Sequence, residues 1–258
     1  MISFHQSRSA VVALMLVIPA SHVLAEAAKS GYEYIKPATR AMQDDEFENP
    51  GMLAVEHGQE LFNEKQPGAG KSCAECHDEN GLKLDRKSLA RYPLVNEEKD
   101  GIVTLQQTIS NCRNNTGIEA LPTNHPDLIA LETFVRNRAF GKAVNVQTDG
   151  AAAELLNKGE KIYQTRYGLI DMSCAHCHSM YPGQMIRRQK ISQEQGNGFP
   201  AYRLDIGEMT NLHQRIQQCL TSMRAEPFDA DSEEIELLGL YLMSRSNGLK
   251  IETPAVRY

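Results

Sequence analysis

Apolar side chains recur at helical spacing in two separate stretches of the chain. Leu105, Ile109 and Cys112 fall at i, i+4 and i+7, which places all three on one helical face, and Leu212, Ile216 and Cys219 repeat the spacing. A second pattern follows each of these. Leu128, Leu131, Phe134 and Val135 are answered by Ile235, Leu238, Tyr241 and Leu242, predicting helices that end near Gly141 and Gly248. Pro126 suits the first turn of the earlier helix, and Asp231 with Glu234 forms a capping-box-like pair for the later one. Further helices are predicted around 53–65 and 150–166, the second opening from Asp149 as N-cap. No convincing alternating strand stands out, so the chain reads as mostly helical with long loops.

The paired patterns belong to one repeat. An offset of 101 aligns Gly58, Leu61 and Phe62 with Gly159, Ile162 and Tyr163. Further on the offset becomes 107, which implies a six-residue insertion in the second copy. The copies are assigned to residues 26–141 and 150–258, with 142–149 as linker.

Residues 1–25 read as a processing segment. Arg8 precedes an apolar run from Ala10 to Ala20, with Val23 and Ala25 where a signal peptidase would cut. The run is too short for a stable membrane anchor, so a cleaved export signal is expected, with the mature chain starting near Glu26. The chain is acidic, with 27 Lys and Arg against 33 Asp and Glu, and carries no long basic stripe. Nucleic acid is therefore excluded as a partner, and an anionic substrate would have to be drawn in by local charge.

Chemistry enters with Cys73, Cys76 and His77, matched at the first offset by Cys174, Cys177 and His178. Two thiols two residues apart can add to the vinyl groups of one porphyrin, leaving the adjacent His as an iron ligand. Paired zinc-binding CxxC motifs usually lie some 15–20 residues apart, and these lie 101 apart. A thioredoxin-like motif would need a βαβ pattern, which is missing. The fold class is thus mostly α, as two tandem cytochrome c-like haem domains with two covalently bound haem c groups. Trp is absent and aromatics are few, so buried haems would supplement a thin core.

The sixth iron ligand follows from comparing the copies. No Met occurs between Met52 and Met172, so copy one lacks the usual thioether, and Met180, Met185, Met209 and Met223 have no counterparts there. His125 aligns with Ser232, and His213 with Gln106. The strong ligand type shared at equivalent positions is the thiol of Cys112 and Cys219. Two alternatives stay open: a Cys112–Cys219 disulfide, which export would permit, or inert packed thiols. A thiolate lowers haem potential, which suits chemistry at sulfur better than conventional electron carriage.

The two motifs, a lone Cys downstream of each, and the stretches Arg215–Cys219 and Arg224–Phe228 resemble SoxA across essentially the whole mature chain. The resemblance implies a periplasmic heterodimer with a SoxX-like cytochrome c subunit and His/thiolate ligation by His77 with Cys112 and by His178 with Cys219. It implies L-cysteine S-thiosulfotransferase activity, in which thiosulfate is oxidatively joined to a cysteine of a SoxYZ-like sulfur carrier and two electrons leave through haem. Cys219 would be the catalytic thiolate, passing through a persulfide-type intermediate, and Arg215 the substrate-binding cation. Arg215 lies one helical turn before Cys219, where copy one has uncharged Thr108. Arg187, Arg188 and Lys190 suit either a basic rim or a solvated loop; Tyr163, Tyr181 and Tyr202 read as packing, and His176 receives no role. Rival readings are a thiosulfate dehydrogenase joining two thiosulfates, a plain dihaem electron-transfer cytochrome, and a dihaem peroxidase.

Overall fold

Two helix crossings, each built around a glycine, organise the structure. It is a computed structural model that describes residues 1, 27–65, 68, 70–97 and 101–258. The expected export signal, Met1 apart, lies outside the described residues. In chain order the helices are α1 (Pro37–Asp44), α2 (Met52–Asn63), α3 (Ala74–His77), α4 (Arg86–Leu89), α5 (Leu105–Asn115), α6 (Pro126–Asn137), α7 (Ala151–Gln164), α8 (Cys174–His178), α9 (Leu212–Ser222) and α10 (Glu233–Ser244). The repeat pairs α2 with α7, α3 with α8, α5 with α9 and α6 with α10.

Helix α2 packs on α6, and α7 on α10. At the second crossing, a Cβ added to Gly159 would lie 2.8 Å from the Tyr241 Cβ and nearer still to the Leu237 carbonyl oxygen. At the first, a Cβ on Gly58 would lie 2.8 Å from the Phe134 Cβ and collide with the Ala130 carbonyl. Glycine in a helix interior costs roughly 0.5–1 kcal/mol relative to alanine, and here that cost is offset by closer backbone contact. The neighbouring aromatics seal both crossings, with ring centroids 5.1 Å apart for Phe62–Phe134 and 5.2 Å for Tyr163–Tyr241.

Helix starts follow local chemistry. Helix α5 opens on a capping box of Thr104 and Gln107, and α9 on its repeat equivalent, Asn211 and Gln214. Pro126 occupies the first turn of α6, as expected. Two expected caps shift by one residue. Helix α10 is capped by Ser232, whose hydroxyl accepts from the Ile235 N–H, while Asp231 accepts a 2.5 Å hydrogen bond from Thr123 of the other half. Helix α7 is entered through Gly150, not Asp149, because the chain turns there at φ 58°, which favours glycine.

Short strands are also present. β1 (Leu94–Asn96) and β2 (Gly101–Val103) form a hairpin in the first half. Its repeat equivalent pairs β5 (Ala201–Arg203) with β6 (Glu208–Thr210) at the same 107-residue offset. Between these hairpins in the chain lies β3 (Met185–Ile186) against β4 (Gln189–Lys190), and β7 (Ala255–Arg257) adds to β5 in parallel. None exceeds three residues, too few for a readable alternation.

The halves share a core. One buried cluster joins Val55, Phe62, Leu131 and Phe134 to Leu155, Leu237, Leu240 and Met243. The 142–149 connection belongs to it: Val144 and Val146 are buried, and Asn247 bonds both the N–H and the carbonyl of Val146. The segment before α2 lies on the second half, with the Lys29 N–H donating to Gln193 and the Asn49 amide to the Pro254 carbonyl. Between the halves sits a small cavity with several polar side chains in its wall. There Gln107 donates to Glu236 at 2.5 Å, Asn211 to Asn124 at 2.6 Å, and Gln106 to Glu132 at 2.8 Å. Burial pushes Glu132 up to about 7, against the opposing effects of Gln106 and Arg136, and pushes His213 down to about 4 despite Asp231.

Gly159→Ala should lower stability by about 1–3 kcal/mol, read as the melting temperature of the haem-loaded protein, because either α7 or α10 must move. Glu132 sets a pH dependence of known sign. Its folded pKa of about 7 lies above the ordinary 4.5, so its contribution is intact below 4.5 and is lost as pH rises through 7. Glu132→Gln should therefore gain stability over wild type between pH 5 and 8, by at most about 3 kcal/mol. His213 acts only at acid pH, its contribution falling away as pH drops from 6.5 through about 4.

Candidate active site at Cys219

The second motif is held at its N-terminus by a capping box. The Ser173 hydroxyl accepts from the His176 N–H, and His176 Nδ1 lies 3.2 Å from the Ser173 N and 2.6 Å from its Oγ. Copy one repeats the device, with Ser72 N donating to Glu75 Oε2 at 2.6 Å and Glu75 N to Ser72 Oγ at 3.2 Å. The residue just before the second motif cysteine is thus a capping position. His176 caps α8, a role readable in hindsight from a serine three residues before Glu75 and before His176.

Helix α8 presents Cys174, Cys177 and His178 to a cavity of about 610 Å³, whose opposite wall carries Ile216 and Cys219 of α9. His178 Nδ1 lies 2.8 Å from the Ser192 carbonyl oxygen, an interaction that fixes the ring and leaves Nε2 as the ligand atom. Ligand atoms of His178, Glu194 and Cys219 all lie within 4.8 Å of one another. Burial works against the Cys219 thiolate, but the Arg215 cation and the neighbouring His178 outweigh it and hold the thiol below its ordinary pKa. The Cys73, Cys174 and Cys177 thiols are instead pushed up, chiefly by burial. Met223 also lines the cavity, but the sulfur beside His178 is that of Cys219.

This donor set fits a c-type haem. Two thiols stand ready for thioether bonds, an oriented imidazole nitrogen and a thiolate face one another, and Leu212, Ile216 and Met223 give apolar walls. The volume lies in the range of small-molecule and cofactor sites.

Comparison with known proteins agrees with this geometry. Residues 57–144 and 158–251 match the family model described as "SoxA/TsdA, cytochrome c domain". The L-cysteine S-thiosulfotransferase subunit SoxA of Pseudaminobacter salicylatoxidans is 37% identical over 88% of this chain and 80% of its own length. The subunit of the same name from Rhodovulum sulfidophilum is 37% identical over 89% of this chain and 80% of its own. The chain belongs to the SoxA family. Among solved structures, SoxXA from P. pantotrophus superposes with a TM-score of 0.82 at 35% identity, covering 90% of this chain and 87% of that one. The SoxA/TsdA model carries a cytochrome c domain in each half, in agreement with the mostly helical tandem reading.

The first site of this SoxA-family chain is more open. Cys76 and Cys112 are exposed, and Cys112 is near enough to Cys73 to raise its thiol pKa. The His77 ring lies 6.2 Å from that of Phe62. All six cysteines are free, so Cys112 and Cys219 are not joined in this structure. The His residues considered as ligands are engaged elsewhere: His125 caps α6, and His213 faces the interdomain cavity against Gly239. Tyr163 is buried, in agreement with a packing role, whereas Tyr181 is exposed.

Arg215 lines the cavity one turn before Cys219. Arg187, Arg188 and Lys190 lie at its rim, where Arg188 stacks over the Tyr258 ring at 5.6 Å. Two lining residues were missed from the sequence. Glu194 stands 3.6 Å from His178 Nε2, with its Oε2 lacking a hydrogen bond among the described residues. Arg203, on β5, is only 2% exposed and is gripped by Asp205.

Ser173→Ala should cost about 1 kcal/mol through loss of the α8 cap, seen as a lower melting temperature with haem content unchanged.

Proposed function

We propose that the mature chain is the dihaem catalytic subunit of a periplasmic L-cysteine S-thiosulfotransferase, working as a heterodimer with a SoxX-like cytochrome c and acting on a SoxYZ-like sulfur carrier. The names of its relatives and the SoxXA superposition support the activity and the partner. The observation that carries the reading is the Cys219 sulfur beside His178, with the Arg215 guanidinium one helical turn away in the same cavity. A plain electron carrier needs neither a thiolate nor a cation beside it.

In the reaction, the outer sulfur of the thiosulfate dianion bonds to the carrier cysteine sulfur, the carrier thiol loses its proton and two electrons leave. The product is a carrier-bound thiosulfonate monoanion. In each copy the motif cysteines (Cys73 and Cys76, Cys174 and Cys177) would hold one haem covalently, and His77 with Cys112, or His178 with Cys219, would supply the protein ligands to its iron. When bound, the haem would supply the sink for those electrons. Arg215 holds the sulfonate oxygens by paired hydrogen bonds and stabilises anionic sulfur at Cys219. The Ser192 carbonyl keeps His178 in a single orientation. Among the described residues no helix is long and apolar enough to cross a membrane.

The test uses the haem-loaded heterodimer with thiosulfate and carrier, read by mass spectrometry of the carrier cysteine. Wild type should contain two haems per chain and load the carrier. Cys219→Ala should abolish loading, by more than about a hundredfold, while Cys112→Ala should perturb only the first haem. Tetrathionate formed without carrier would instead identify a thiosulfate dehydrogenase, and loading that survives loss of Cys219 would overturn the assignment.

A further inference from the structure

The two halves carry the same scaffold, so each position at the second site has an internal reference. Arg215 corresponds to Thr108 by sequence. The matching hairpins β1–β2 and β5–β6 extend the comparison and place Arg203 on Asn96. At these two matched positions the second half carries cations that the first lacks, Arg203 and Arg215, and both line the cavity that holds Cys219.

Arg203 is unusual as a purely structural residue. It is 2% exposed, and its guanidinium donates from Nε to Asp205 Oδ1 at 3.2 Å and from Nη2 to Asp205 Oδ2 at 3.3 Å. That grip fixes the plane of the group and uses one edge, while Nη1 makes no hydrogen bond among the described residues. Burial and the like charge of Arg215 both work against the Arg203 cation, with Asp205 and Cys219 offsetting them. Arg203 and Arg215 line one cavity and repel each other there. A dianion bound between them would relieve that repulsion.

We propose that Arg203, oriented by Asp205, is a second thiosulfate-binding residue, donating from Nη1 to a sulfonate oxygen while Arg215 engages the others beside Cys219. The inference rests on the activity proposed above. In this arrangement Arg215 engages the sulfonate from α9 and Arg203 from β5, so that the two together fix its direction. Asp205 is a positioning residue, since it acts only through Arg203.

The experiment compares wild type, Arg203→Gln, Arg203→Lys, Asp205→Asn and, as reference, Arg215→Gln, each as the haem-loaded heterodimer with thiosulfate and carrier. Loss of a charge-assisted hydrogen bond should raise KM for thiosulfate about tenfold to a hundredfold in Arg203→Gln. Arg203→Lys, which keeps the charge but loses the fork, should also raise KM, and Asp205→Asn should raise it less. Carrier KM and the midpoint potential of the second haem should stay near wild type. An unchanged thiosulfate KM in either Arg203 variant with normal haem content overturns the inference. So does a shifted haem potential without a KM change, which would make Arg203 a partner of the haem propionates. A wild-type heterodimer that never loads the carrier overturns the functional reading itself.

Discussion

The Cys219 thiol and the His178 ring meet because two helices are fixed at their first turns and backed by a packed pair of others. Capping boxes at Ser173 and Asn211 set where α8 and α9 begin, and hence which residues face each other one or two turns later. The α7–α10 crossing at Gly159 then brings the buried wall of Tyr163, Ile235, Leu238 and Leu242 against both. The closeness of α7 and α10 is set by the absence of a single Cβ. A cavity wall built this way is stiff, since moving Cys219 away from His178 would break packing on several sides at once.

The same constraint appears in both halves, which separates what the scaffold does from what the site does. Glycine crossings, capped motif helices, hairpins and downstream thiols are common to both copies. Charge is not. Copy one pairs Cys112 with an open surface and uncharged Thr108, whereas copy two places Cys219 in a large cavity with Arg215 and Arg203. A partly buried setting strengthens such contacts, because fewer waters compete for the anion and screening salt is kept out. The overall acidity of the chain makes this local concentration of cations all the more specific.

Much of this was legible because the informative residues lie at fixed spacings. The two CxxCH motifs, the helical faces carrying Cys112 and Cys219, and the one-turn separation of Arg215 from Cys219 are all local patterns. Other features depend on pairings distant in sequence. The β5–β6 hairpin has only three residues per strand, so nothing in the sequence marks Arg203 as facing the cavity across from α9. Glu194 reaches His178 from an irregular loop without periodicity. The shift of the α10 cap from Asp231 to Ser232 arises because Thr123 of the other half bonds Asp231, a competition no local motif records. Likewise 142–149 has the composition of a connector, yet Val144 and Val146 are drawn into the shared core by Asn247 and Leu249.

The choice between carrying electrons and making a sulfur bond turns on which states the site stabilises. A carrier works best when its surroundings change little between oxidised and reduced forms, and a neutral ligand in an apolar pocket serves that end. The second site does the reverse. It holds a thiol below its ordinary pKa despite burial and keeps a guanidinium within one helical turn of it. Two guanidinium groups brought into one cavity repel each other, a cost that an anion bound between them offsets. The absence of both Arg positions from the twin site shows that the scaffold does not require them. Their presence beside Cys219 is therefore best explained by an anionic substrate that reacts at sulfur, with the haem cavity serving as the place where its electrons depart.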